Sequence, residues 1–272
     1  MSRKKQILTL LLSTAICLFG VNALKQMERG WRLEIDGIIE KKLEAAGFQK
    51  FDGIGYSFPI SDEVLGVVQI YNQELFKRPD PERAIINTRL GIIDYQLNAS
   101  SSVVDQGKMV PYKMYRTTIG NSSDNGTGVF IEMFDLYRTQ PLQQKEAAID
   151  NLVARINREA VPELRKKFST TSDVTNFLTE NKHRNEELYC IALAATGQAA
   201  KAKQRADWNS ANLGIARVHK TGWPQFKPKF DKWVEAGAVV PNLEDARTYT
   251  MKAAEERRIQ ISNTPKDQRP IW

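Results

Sequence analysis

Cysteine and histidine are nearly missing from this chain: its 272 residues hold two of each, Cys17 and Cys190, His183 and His219. Structural zinc takes thiolates and imidazoles at two-residue to four-residue spacings, and none of these side chains has a partner at such a spacing. No metal site is expected. His183 and Cys190 stand seven residues apart, which on one continuous helix puts them about 10 Å from each other, too far for the direct hydrogen bond of a Cys-His dyad. Cys190, inside Leu188-Tyr189-Cys190-Ile191-Ala192-Leu193, reads as a small buried apolar residue.

Other chemical signatures are also missing. No Gly-x-Ser-x-Gly elbow occurs, which removes the commonest serine-hydrolase pattern. Gly53-Ile54-Gly55 and Gly126-Thr127-Gly128 are short glycine pairs that do not continue into a strand-loop-helix phosphate motif, so both read as turns and no cofactor is called for. Basic residues do not gather with aromatics as a nucleic-acid binder requires. The densest basic run, Arg165-Lys166-Lys167, sits at the end of a predicted helix, where cations offset exposed carbonyl dipoles. Catalytic residues are therefore assigned nowhere.

What the chain does have is a leader. Arg3, Lys4 and Lys5 precede an apolar run from Ile7 to Val21 and a small residue, Ala23, which are the three parts of a secretory signal, with cleavage expected after Ala23. The competing reading is an uncleaved inner-membrane anchor over residues 7–24, at the short end of the 17 to 25 residues a spanning helix needs. Ile16 before Cys17 is bulky, which argues against a lipid-attachment signal. Either way the body is expected in the periplasm or otherwise outside the cytoplasm, with membrane contact only through residues 7–24. Removing the leader takes three basic groups from the chain's 39 and none from its 32 acidic ones, leaving a mild excess suited to solubility.

Residues 24–206 read as an α+β domain and 207–272 as a mostly helical C-terminal extension with a loose tail. Ile35, Ile38, Ile39, Leu43 and Ala46 recur at helical spacing, predicting a helix from about Gly30 to Ala46 that Gly47 closes. Strand-type runs follow: Phe48 to Phe51, Gly55 to Ile60, Glu63 to Gln73, Arg83 to Gln96, Tyr112 to Ile119 and Thr127 to Leu136. Their spacing leaves no room for crossover helices, so a mainly antiparallel sheet of four to six strands with flanking helices is expected. In the fourth run Ala84, Ile86, Thr88, Leu90 and Ile92 form the core face. Asn98 to Lys108 reads as a loop. Past Pro141 a helix is expected to kink or break at Pro162, then a short helix capped by Ser172, one from Asn185 to Thr196 closed by Gly197, one from Gln198 to about Asp207, and a terminal helix from Leu243 to Ile261.

Ile38 to Phe48 ending in Gly-Phe, Tyr56 and Phe58, Val64 to Ile70 with its Val-Gln step, and Ile86-Asn87-Thr88-Arg89-Leu90-Gly91-Ile92 together resemble the domain of unknown function family 4304, loosely over residues 34 to 196. The resemblance implies an α+β fold with an antiparallel sheet. It brings no catalytic residue. The leader and the extension after about residue 207 depart from the family's pattern.

One polar pattern stands out. Gln69, Tyr71 and Gln73 alternate on one strand, and Asn87 and Arg89 on another, which would give a sheet face able to hydrogen-bond a partner; a plain solvent-facing side is the ordinary alternative. The sequence thus points to an exported, non-catalytic binding protein of the bacterial cell envelope, immunity-like or adaptor-like, with another protein as partner and no nucleic acid. The alternative is an envelope hydrolase whose carboxylates, among them Asp62, Glu63, Glu132 and Asp135, come together on folding.

Overall fold

A periodic apolar stripe followed by glycine builds the first element. In the computed structural model, which describes residues 30–31, 33–53, 55–73, 82–106, 134–180, 186–214 and 222–264, helix α1 covers residues 33–45 with Ile35, Ile38, Ile39 and Leu43 buried. Gly47 follows it at φ +87°, a left-handed conformation in which glycine meets no Cβ penalty, and the Phe48 N–H returns to the Leu43 carbonyl at 3.0 Å. The leader, the expected strand Tyr112 to Ile119, His183, His219 and the end of the tail lie outside the described residues.

Five strands, β1 (Gln49–Lys50), β2 (Tyr56–Pro59), β3 (Val64–Gln73), β4 (Arg83–Asp94) and β5 (Phe134–Tyr137), pair in chain order as an antiparallel sheet. The fold class is α+β. Nine helices stand among the described residues. After α1 come α2 (Tyr95–Gln106), α3 (Leu142–Arg155), α4 (Val161–Lys167), α5 (Thr171–Glu180), α6 (Glu186–Ala195), α7 (Ala199–Ala211), α8 (Trp223–Glu235) and α9 (Leu243–Asn263).

Two compact units divide the chain. The first takes its described residues from the stretches up to Lys42, Ile70–Asn87 and Glu132–Val153; the second from Leu43–Gln69, Thr88–Ile131 and Ala154 onward. In the first, Lys42 pairs with Asp150 at 2.7 Å, Arg83 with Asp135 at 2.6 Å, and the buried Lys145 lays its ammonium over the Trp31 ring while donating to the Arg138 carbonyl. In the second, Phe51, Leu65, Val67, Ile93, Tyr95, Ala99, Ala246, Tyr249 and Ala254 form one apolar cluster, in which α2 and α9 cover one face of β3 and β4. Ala84, Ile86, Thr88, Leu90 and Ile92 are all buried, as their alternation predicts.

Two glycines of the second unit mark close approaches. Gly66 lies directly opposite Phe58, and a Cβ there would fall inside the Phe58 ring, which itself meets Phe48 edge-on at 5.5 Å. Gly53, at φ +83°, sits against the α9 backbone at Arg258, where an added Cβ would stand 3.2 Å from that Cα.

Two local expectations are corrected. The fourth strand ends at Asp94, and the expected loop from Asn98 is helix α2, eight of whose 12 residues are buried. At Pro162 the α-helical course is interrupted as expected: α3 ends at Arg155, a π turn over Ile156–Ala160 follows, and Pro162 occupies the first turn of α4. The cap of α5 is Thr170 rather than Ser172. Its hydroxyl accepts from the Asp173 N–H at 3.1 Å while the Asp173 carboxylate accepts from the Thr170 N–H at 2.8 Å, a reciprocal capping box.

Candidate functional site

The polar face expected from sequence divides on inspection. Leu65 and Val67 of β3 and Ile93 of β4 belong to the cluster under α2 and α9, so by alternation Gln69 and Arg89 point to that same side of the sheet. Gln69 is buried and Arg89 is exposed, and both belong to the second unit. Asn87 is half-buried in the first unit, together with Tyr71 and Gln73, whose strand placement is described but whose side chains are not. Of these residues Arg89 is the exposed one among those whose side chains are described, and it stands on the run of β4 that leads away from the covered cluster.

Sequence reasoning missed a second polar region. Helix α2 is packed by α6, α8 and α9, yet its buried residues include Asn98, Ser100, Ser101 and Ser102. Buried polar groups normally find hydrogen-bond partners. Some do here: Asn98 donates to the Thr250 hydroxyl at 2.8 Å and Ser101 to the Leu97 carbonyl at 2.8 Å. Asn98 Oδ1 and Ser100 Oγ do not.

The sharpest case precedes the helix. Asp94 is completely buried, and its Oδ1 caps α2 by accepting from the Leu97 N–H at 2.8 Å. Its Oδ2 has no partner. Glu63, at the start of β3, accepts from the Tyr95 N–H through its carbonyl at 3.1 Å and from the Thr171 N–H through its carboxylate at 2.7 Å, so one residue holds the first turns of both α2 and α5. The Thr171 hydroxyl sits beside Asp94, also buried, short of hydrogen-bonding geometry. Burial, more than any other influence, pushes the Asp94 carboxyl up to about 6; the negative field of Glu63 acts in the same direction, and the donors at Leu97, Thr171 and Gln96 oppose it.

A contrasting carboxylate lies at the start of α6. Glu186, whose side chain is 2% exposed, accepts both prongs of the Arg205 guanidinium of α7, at 2.9 and 2.5 Å, and the Asn209 amide at 3.0 Å. Arg205 also lies over the Trp208 ring. One turn along α6, burial first and the Glu186 charge second drive the Cys190 thiol far above its ordinary value, so it is a poor nucleophile.

Each described carboxylate named from sequence is engaged within its own unit. Asp62 takes the Arg247 guanidinium, Glu63 holds the helix starts, Asp135 pairs with Arg83, and Glu132 lies outside the described residues. Among the described residues no group of three or more His, Cys, Asp or Glu side chains is placed to hold a metal ion, and no helix is long and apolar enough to cross a membrane. Compared with known proteins, the chain matches no protein-family model, no curated protein and no solved structure.

Proposed function

We propose that the protein is an exported partner-binding protein of the cell envelope without catalysis, and that Arg89 on β4 is a principal contact with another protein. The observation that carries this reading is an exposed arginine on a strand whose opposite face is core. Arginine is favoured at protein interfaces because its planar fork makes several hydrogen bonds at once. The resemblance of residues 34 to 196 to the domain of unknown function family 4304 is part of the same reading and adds no catalytic residue to it. Affinity capture of the full chain from cell envelopes, with mass spectrometry of co-purified proteins and of the N-terminus, tests it. Arg89→Ala is expected to abolish recovery of the main partner while leaving the thermal midpoint within about 1 °C, since exposed substitutions seldom move stability by more than about 0.5 kcal/mol. An unchanged set of partners would sink the reading.

The hydrolase alternative has one observation in its favour, a carboxyl with a raised pKa beside a second carboxylate, the arrangement from which a general acid is made. Complete burial of Asp94 under α2 and α5 weighs against it, because a substrate must reach the proton that the acid delivers.

A further inference from the structure

Of the four tryptophans among the described residues, Trp31, Trp223 and Trp233 are buried, and Trp208 of α7 is 44% exposed. Its ring is nonetheless fixed. The Arg205 guanidinium lies over it at 4.7 Å, and that guanidinium is itself held by the Glu186 carboxylate, through Nε at 2.9 Å and Nη2 at 2.5 Å. Asn209, wholly buried next to Trp208 in the chain, donates to the same carboxylate at 3.0 Å. A series of contacts rooted between α6 and α7 thus sets the position of an indole that solvent still reaches.

Lys201, Arg205, Trp208 and Asn212 at the C-cap follow one another along α7 at intervals of four, three and four residues, so they line one side of the helix. The stripe carries no carboxylate. Asp207, the one acid of α7, stands off it and pairs with Lys227 of α8 at 2.8 Å. Among the described residues Arg205 Nη1 and Trp208 Nε1 have no hydrogen-bond partner, and Lys201 reaches Gln198 only through an exposed bond of 3.4 Å. Asn212 gives its amide to the Trp208 carbonyl at 2.8 Å.

We propose that this stripe of α7 is a docking site for an acidic segment of a partner protein: a carboxylate of the partner takes donors of Lys201 and Arg205, and an aromatic side chain next to it covers the exposed part of the Trp208 ring.

This is a second site, resting on the same reading of the chain as a partner-binding protein, and it is tested without the partner that Arg89 would hold. Tryptophan and arginine carry much of the binding energy of protein interfaces, and a ring already fixed in the free protein has little freedom left to lose. With its side chain 23% exposed, Arg205 can meet a second acceptor while it keeps Glu186. A single-stranded nucleic acid would need further cations along the path of its backbone. A membrane surface would need apolar groups beside Trp208, whereas its neighbours on the stripe are polar.

The test is fluorescence anisotropy of a labelled random copolymer of glutamate and tyrosine titrated with the full chain, with poly-glutamate, oligothymidylate and phosphatidylglycerol vesicles as competitors. The copolymer is expected to bind, and to bind Trp208→Ala at least about thirtyfold more weakly, the size of loss seen when an anchor residue is truncated. That variant is expected to lower the thermal midpoint by no more than about 4 °C, since its stacking on Arg205 is exposed. Trp208→Phe keeps a ring and is expected to recover most of the affinity. Lys201→Glu removes no packing and is expected to weaken binding about fivefold, more at low salt than at high. Lys252→Glu, the same change of net charge on an exposed residue of α9, is expected to leave the affinity unchanged. The inference is overturned if the copolymer does not bind, if Trp208→Ala and Lys201→Glu bind it as the wild type does, or if oligothymidylate or the vesicles displace it more readily than poly-glutamate.

Discussion

Glu186 and Asp94 are both buried carboxylates at helix starts, and they are held in opposite ways. Glu186 meets a guanidinium fork and an amide, so its charge is matched where it lies. Asp94 meets backbone donors through one oxygen, nothing through the other, and a like charge beside it. Depth alone does not decide what a buried acid does. Its neighbours decide whether it braces the fold as an anion or stays folded as a neutral acid.

The comparison breaks most visibly at Arg205. Arg205→Ala leaves Glu186 buried without its cation, and about 3–5 kcal/mol of stability is expected to go, seen as a large fall in the urea midpoint of unfolding. Asp94→Asn goes the other way: at pH 7 it is expected to stabilise by on the order of 1–3 kcal/mol, because it removes a charge that burial opposes, and to flatten the wild type's decline in stability between pH 4 and 6. If Asp94→Asn destabilised at pH 7, the two carboxylates would be alike after all. Glu63→Gln sharpens the contrast by a smaller amount, about 1 kcal/mol or less at pH 7, since it relieves repulsion but weakens the bond to the Thr171 N–H. The smallest readout is chemical. In a chain carrying Cys17→Ser, Cys190 is expected to resist neutral-pH alkylation, and to react faster in Arg205→Ala through transient opening of α6.

Much of the architecture was legible because alternation and glycine punctuation are local. Ala84 to Ile92 announced their core face, and Gly47 and Gly197 marked helix ends with φ values of +87° and +81°. Helix α2 was illegible for a physical reason. Its run Asn98-Ala99-Ser100-Ser101-Ser102 lacks an apolar stripe and uses residues that compete with the backbone for hydrogen bonds, so only its packing against α6, α8 and α9 makes it a helix. With α2 read as a loop, Asp94 read as a residue near the end of a strand and not as a cap. The signal was present in Asp94-Tyr95-Gln96-Leu97, an acidic residue three places before an apolar one, and the same spacing in Thr170-Thr171-Ser172-Asp173 marked the start of α5. Glu186 was recognisable as an acidic residue at a helix start, but its partners come 19 and 23 residues later on a second helix, a distance no local pattern spans.

Gly66 turns an empty position into a key. Because it faces Phe58 across the β2–β3 ladder, the strand offers a ring-sized gap at a single place, and a slide of β2 by two residues would drive the ring onto Val64 or Val68. Misaligned pairings of this hairpin collide at once, so the hydrogen-bond ladder closes in one alignment and Val67, on the opposite side, is delivered to its place beneath α9.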